Sequence, residues 1–178
     1  MGLDVTAYRK VKKLDVLFNE HGEAVDPSSR EPIEDYFIAR ESEDFPGRAA
    51  GLDNMAAYSY EESKSFWSGG YSKYNYWREE LAKMAGYPVS ETDVYGRKEY
   101  LHALSAWNGT ITGGPFYELI DFSDCEGTIG PIVSRKLARD FEEWTDRASA
   151  IGGSFYEKFM EWRRCFELAS DAGAVRFH

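Results

Sequence analysis

Hydrophobic and polar residues alternate from the start of the chain, with Leu3, Val5 and Ala7 interleaved with Asp4, Thr6 and Tyr8. A period of two buries one face of an extended segment and leaves the other outside, which predicts a strand. After the basic stretch Arg9, Lys10, Lys12, Lys13, the same period resumes at Leu14, Val16 and Phe18, predicting a strand or strand pair. Residues 19–30 then collect His21, Gly22, Asp26, Pro27 and Ser28, which favour turns. Residues 19–32 read as a candidate mobile loop. Residues 36–40 (YFIAR) and 56–60 (AAYSY) predict two further strands, separated by a loop over 42–54 that contains Pro46, Gly47 and Gly51.

From Ser72 the period changes. Tyr74, Trp77, Leu81 and Met84 fall three, four and three apart, the stripe of an amphipathic helix, and Gly86 with Pro88 ends it. Over 90–110, Tyr100, Leu101, Leu104 and Trp107 predict only a short helix between Gly96 and Gly109. Further on, Val133, Leu137, Phe141, Trp144, Ala148 and Ile151 form one stripe, with Pro131 suited to the first helical position. Gly152 and Gly153 end that helix. Ser154 and Glu157 then form a capping-box pattern before a second stripe, Phe155, Phe159, Trp162, Phe166 and Ala169. The expectation is one α+β domain over 1–178: a small, mostly antiparallel sheet from the N-terminal third, covered by helices, with a C-terminal antiparallel helical hairpin.

Composition narrows the functional classes. A chain of 178 residues that is 43% hydrophobic and 16% aromatic can bury a core without metals or disulfides. Its net charge is −10, and residues 21–50 alone hold eight acids against three arginines, a local balance of −5. That sign repels phosphate backbones, so generic nucleic-acid binding is not expected, whereas an acidic face suits a basic protein partner or plain solvation. Cys125 and Cys165 stand 40 positions apart without a CxxC pair, and no apolar run approaches a membrane span. The expected setting is soluble, reducing and cytoplasmic, with no cofactor, no metal and no membrane contact.

Candidate chemistry concentrates in residues 113–131, GGPFYELIDFSDCEGTIGP. Glycine and proline force this stretch to turn while it carries Asp121, Asp124, Cys125 and Glu126. Asp124 and Glu126 are candidates for general acid–base work or hard-cation binding, and Asp124 equally for helix capping. Cys125 is a candidate nucleophile, although the flanking carboxylates raise a thiol's pKa and oppose activation; as a small buried hydrophobe it would be inert. A second candidate is Ser68, Gly69, Gly70 and Tyr71, followed by Tyr74, Asn75 and Arg78. Glycines before a helix bare amides that can cradle an anion, with Arg78 as its clamp, or simply make a close turn. A cleft between residues 68–78 and 121–127 is therefore the expected site. No GxGxxG, HExxH or GxSxG motif is present.

The opening MGLD, residues 68–82 (SGGYSKYNYWREELA) and residues 113–131 together resemble a group of uncharacterised phage and prophage proteins. The resemblance covers most of the chain and brings no activity with it. It implies a mobile-element origin in a bacterial host, and hence an accessory protein that binds a host or phage protein. The alternative is an enzyme or small-ligand-binding domain built on the 68–78 and 121–127 cleft.

Overall fold

The computed structural model describes residues 2–122 and 127–178. In chain order the elements are β1 Gly2–Arg9, β2 Lys12–Lys13, β3 Leu17–Phe18, β4 Ala24–Val25, β5 Tyr36–Ile38, β6 Ala57–Ser59, β7 Glu62–Gly70, α1 Tyr71–Met84, β8 Ser90–Val94, β9 Arg97–Leu101, α2 Leu104–Trp107, α3 Tyr117–Asp121, β10 Gly127–Ile129, α4 Pro131–Glu143, α5 Thr145–Ile151, α6 Gly153–Ser170 and β11 Ala174–Phe177. The class is α+β, with small antiparallel sheets and helices packed on them.

The largest sheet has the order β10-β11-β1-β7, each neighbouring pair antiparallel. Its strands come from the beginning, the middle and the end of the chain, not from the N-terminal third alone. Thr6 lies opposite both Ser65 of β7 and Arg176 of β11, so β1 is bonded along both edges. Nor does β1 leave one face in water, because Thr6 and Tyr8 are buried along with Leu3, Val5 and Ala7. The Tyr8 ring stacks on Phe37 at 4.2 Å and joins Ala39, Tyr58 and Ala174 in a small second core beside the three-stranded sheet β2-β6-β5. The expected strand through Leu14, Val16 and Phe18 shrinks to β3, whose Leu17 and Phe18 are exposed.

The main core lies where α1 and α6 meet the large sheet. Trp162 of α6 is fully buried at its centre, parallel to Trp77 of α1 with ring centroids 5.5 Å apart. It also meets Phe66 of β7 edge-on at 5.0 Å and Phe177 of β11 at 5.7 Å. One side chain thus joins four elements drawn from two stretches of the chain, residues 62–84 and 153–177. The α6 stripe predicted from spacing is buried at all five positions.

Two helical expectations change. The segment expected as one helix from Pro131 to Ile151 divides at Trp144, which has φ −100 and ψ 4, giving α4 and α5. Ser154 does not cap α6 either. Gly152 and Gly153 adopt φ of 71 and 58, so the chain turns and the helix begins at once at Gly153, leaving Ser154 inside the first turn. Residues 90–101, where no strand was expected, form the β8–β9 hairpin, and the short helix follows it as α2.

Candidate functional site

Helix α3 is only five residues long, so nearly all its carbonyls lack an intrahelical donor and need partners from elsewhere. Two buried arginines supply them. Arg78, 3% exposed, donates from Nη1 to the Ile120 carbonyl at 2.8 Å and the Phe122 carbonyl at 2.9 Å, and from Nη2 to Asn75 Oδ1 at 2.6 Å. Arg48 donates from Nε to the Glu118 carbonyl at 3.2 Å and from Nη2 to Asp121 at 2.7 Å. The Arg78 guanidinium lies 4.8 Å from the ring centroids of both Tyr74 and Trp107, and Arg48 lies 5.1 Å from that of Tyr117. Aromatic faces are favourable neighbours for a desolvated guanidinium. Trp107 Nε1 and the Tyr74 hydroxyl add donors to the Ile120 and Phe122 carbonyls.

The predicted residues Tyr74, Asn75, Arg78 and Asp121 therefore do gather. Asn75, Arg78 and Asp121 line a hollow of about 340 Å³ together with Phe45 and Trp107. Among the described residues, their polar groups meet backbone carbonyls, one another and Arg48. Burial raises the Asp121 pKa above the ordinary carboxylate value, with the Arg48 guanidinium pulling the other way. Asp124, Cys125 and Glu126 lie outside the described residues. Arg48 and Phe45 escaped the sequence reading: one counted only as a surface charge, the other only as part of a loop.

As a structural clamp, Arg78 should matter to the fold. Arg78→Met is expected to lower stability by about 2 kcal/mol, since it removes charged donors while Trp107 and Tyr74 still serve the two carbonyls. In a domain of this size that corresponds to a Tm drop of roughly 6 °C. An unchanged melting curve would show that the clamp contributes nothing.

The other predicted residues go elsewhere. Ser68 and Gly69, at the end of β7, line a separate and larger hollow of about 570 Å³ with Trp67, Ser72, Lys73, Tyr76, Trp77, Glu80, Ser154, Phe155 and Lys158. Gly70 and Tyr71 form the junction into α1, with Gly70 opposite Gly2 in the sheet. At 100° per residue, Ser72, Lys73, Tyr76, Trp77 and Glu80 share one side of α1, while Asn75 and Arg78 fall on another. Among the described residues, the parts of the expected cleft thus line two hollows with the helix between them.

Comparison with protein families, with curated proteins and with solved structures finds no match to this chain. The site must be read from its own chemistry. Cys165 is buried within α6, and burial pushes its thiol pKa up, away from nucleophilic use. The His102 Nδ1 lies 2.5 Å from the Tyr87 carbonyl oxygen. Among the described residues, no cluster of three His, Cys, Asp or Glu side chains could hold a metal ion, and no helix is long and apolar enough to cross a membrane.

Proposed function

We propose that the protein acts by binding a protein partner with a basic surface, engaged by the acidic segment of residues 20–44. The phage or prophage accessory role, with a host or phage protein as partner, rests on the resemblance of residues 68–82 and 113–131. The observation that supports binding through the acidic segment is its exposure. Glu20, Glu23, Glu31, Glu34, Asp35, Glu41, Glu43 and Asp44 are all exposed, and among the described residues none pairs with lysine or arginine. A surface carrying an excess of one charge steers association with an oppositely charged face and loses that effect as salt screens it.

The test uses immobilised protein to capture partners from a bacterial lysate in low and high salt. Reversing Glu34, Glu43 and Asp44 to lysine should release the same captured protein that salt releases. Glu41 is spared because its side chain accepts the Gly47 amide. Capture that ignores both salt and the reversals removes this reading.

A second reading, a small-ligand-binding domain, is favoured by the hollow at Ser68 and Gly69. Its volume falls within the roughly 300–1,000 Å³ usual for ligand sites, and its walls include the aromatic side chains Trp67, Tyr76, Trp77 and Phe155.

A further inference from the structure

We infer that the hollow between β7, α1 and α6 takes a small planar aromatic anion, its ring against Trp67, Tyr76, Trp77 and Phe155, its negative group beside Lys73 and Lys158. The inference rests on the ligand-binding reading and adds the chemistry of the ligand.

The ring specificity comes from the walls. Trp67 and Tyr76 are 59% and 67% exposed, an unusual amount of free aromatic surface on two neighbouring elements. Trp67 is held in place by its own surroundings. A Cβ on Gly2 would stand 2.3 Å from its Nε1, so the indole lies directly over the glycine backbone. Trp77 and Phe155, both buried, close the floor, with their ring centroids 6.5 Å apart and their planes inclined by 30°. Offset stacking on such rings favours a flat partner over a branched aliphatic one.

The charge preference comes from one end of the hollow. Lys158 reaches the Trp67 carbonyl with Nζ, 3.2 Å away, while also pairing with Glu161. Lys73 is exposed and forms no ion pair or hydrogen bond among the described residues, in a chain whose net charge is −10. Gly69 brings the strand end against the Lys73 stem, since a Cβ there would lie 3.4 Å from the Lys73 Cβ. Both cations therefore gather at the Trp67–Gly69 end. That end is also the N-terminus of the 14-residue α1, which has no acidic residue in its first turn and whose dipole favours negative charge. The one carboxylate among the lining residues, Glu80, sits seven positions after Lys73, about 10 Å along the helix axis. Trp77 Nε1 and Ser68 Oγ, from two of the lining residues, are buried without a hydrogen-bond partner among the described residues.

Isothermal titration calorimetry with naphthalene-2-carboxylate and the uncharged naphthalene-2-carboxamide tests the inference. The carboxylate should bind about tenfold more tightly at low salt. Lys73→Ala should weaken the carboxylate about fivefold and leave the carboxamide unchanged. Tyr76→Ala should weaken both. Lys73 and Tyr76 are exposed, so both variants should melt like the parent. Equal binding of the two probes, or indifference of the carboxylate to Lys73→Ala, overturns the anion preference while leaving an aromatic ligand site. Absence of binding by either probe, or binding indifferent to Tyr76→Ala, overturns the inference together with the ligand-binding reading of this hollow.

Discussion

Trp162→Ala should lower stability by about 4 kcal/mol, a substantial part of what a domain of this size possesses. In thermal unfolding this corresponds to a Tm drop of roughly 12 °C. The size of the effect follows from position. The indole touches Phe66, Tyr74, Trp77, Phe166 and Phe177, which belong to β7, α1, α6 and β11, and those surroundings cannot collapse together into the space it leaves. Trp162→Phe should cost much less, because the indole nitrogen has no hydrogen-bond partner among the described residues and a ring would still fill most of the space. Guanidinium unfolding of Phe18→Ala, on an exposed residue of β3, provides the comparison and should match the parent. A Trp162→Ala variant as stable as the parent would show that the main core is not assembled around this residue.

The second large effect is expected from adding a single methyl group. Gly173 joins α6 to β11, and a Cβ there would stand 2.0 Å from the Tyr8 carbonyl oxygen and 2.9 Å from the backbone of Ala169. Neither neighbour is a side chain that can swing aside. One belongs to β1 and the other to the last turns of α6. Gly173→Ala should therefore force the strand and the helix apart and lower stability by about 3 kcal/mol, at the upper end of overpacking costs. Gly113→Ala is the control, since a Cβ at that position meets nothing within 4 Å and the residue has no positive φ. Matching unfolding midpoints for the two variants would refute the close approach of β11's entry to β1.

The elements that were legible are those whose burial follows one period over several turns. Tyr74, Trp77 and Leu81 in α1, and the five-residue stripe of α6, face the core as their spacing requires. The strand β7 was not legible, although it pairs with β1 along its whole length. It lies at the edge of the sheet, and residues 62–65 are all exposed, so no alternation records it. In β8 and β9 no residue is buried, and β11 has only four residues, too few for a period to emerge. The C-terminal cores of α4 and α5 share one stripe, which is why their division at Trp144 left no trace in the spacing.

The candidate site was legible in part, for a related reason. Tyr74 and Asn75 each lie one turn before Arg78 on a helix, and that spacing brings both near the arginine. What they bind is mostly backbone carbonyl oxygen, which every residue carries and which no sequence pattern marks. The larger hollow draws Trp67 from a strand, Tyr76 from a helix and Phe155 and Lys158 from another helix some ninety positions away. Nothing along the chain links these residues before it folds.

The pairing of β1 with β11 bears on the order of events during synthesis. β1 is synthesised before both of its partners and can pair with β7 once residues 62–70 emerge, but its other edge has no partner until residues 174–177 follow. In that interval β1, which carries Leu3, Val5 and Ala7, presents an open row of amides and carbonyls, the kind of edge that recruits a neighbouring chain. Nascent chains halted before residue 174 should therefore be prone to self-association, and the emergence of β11 is what ends the exposure.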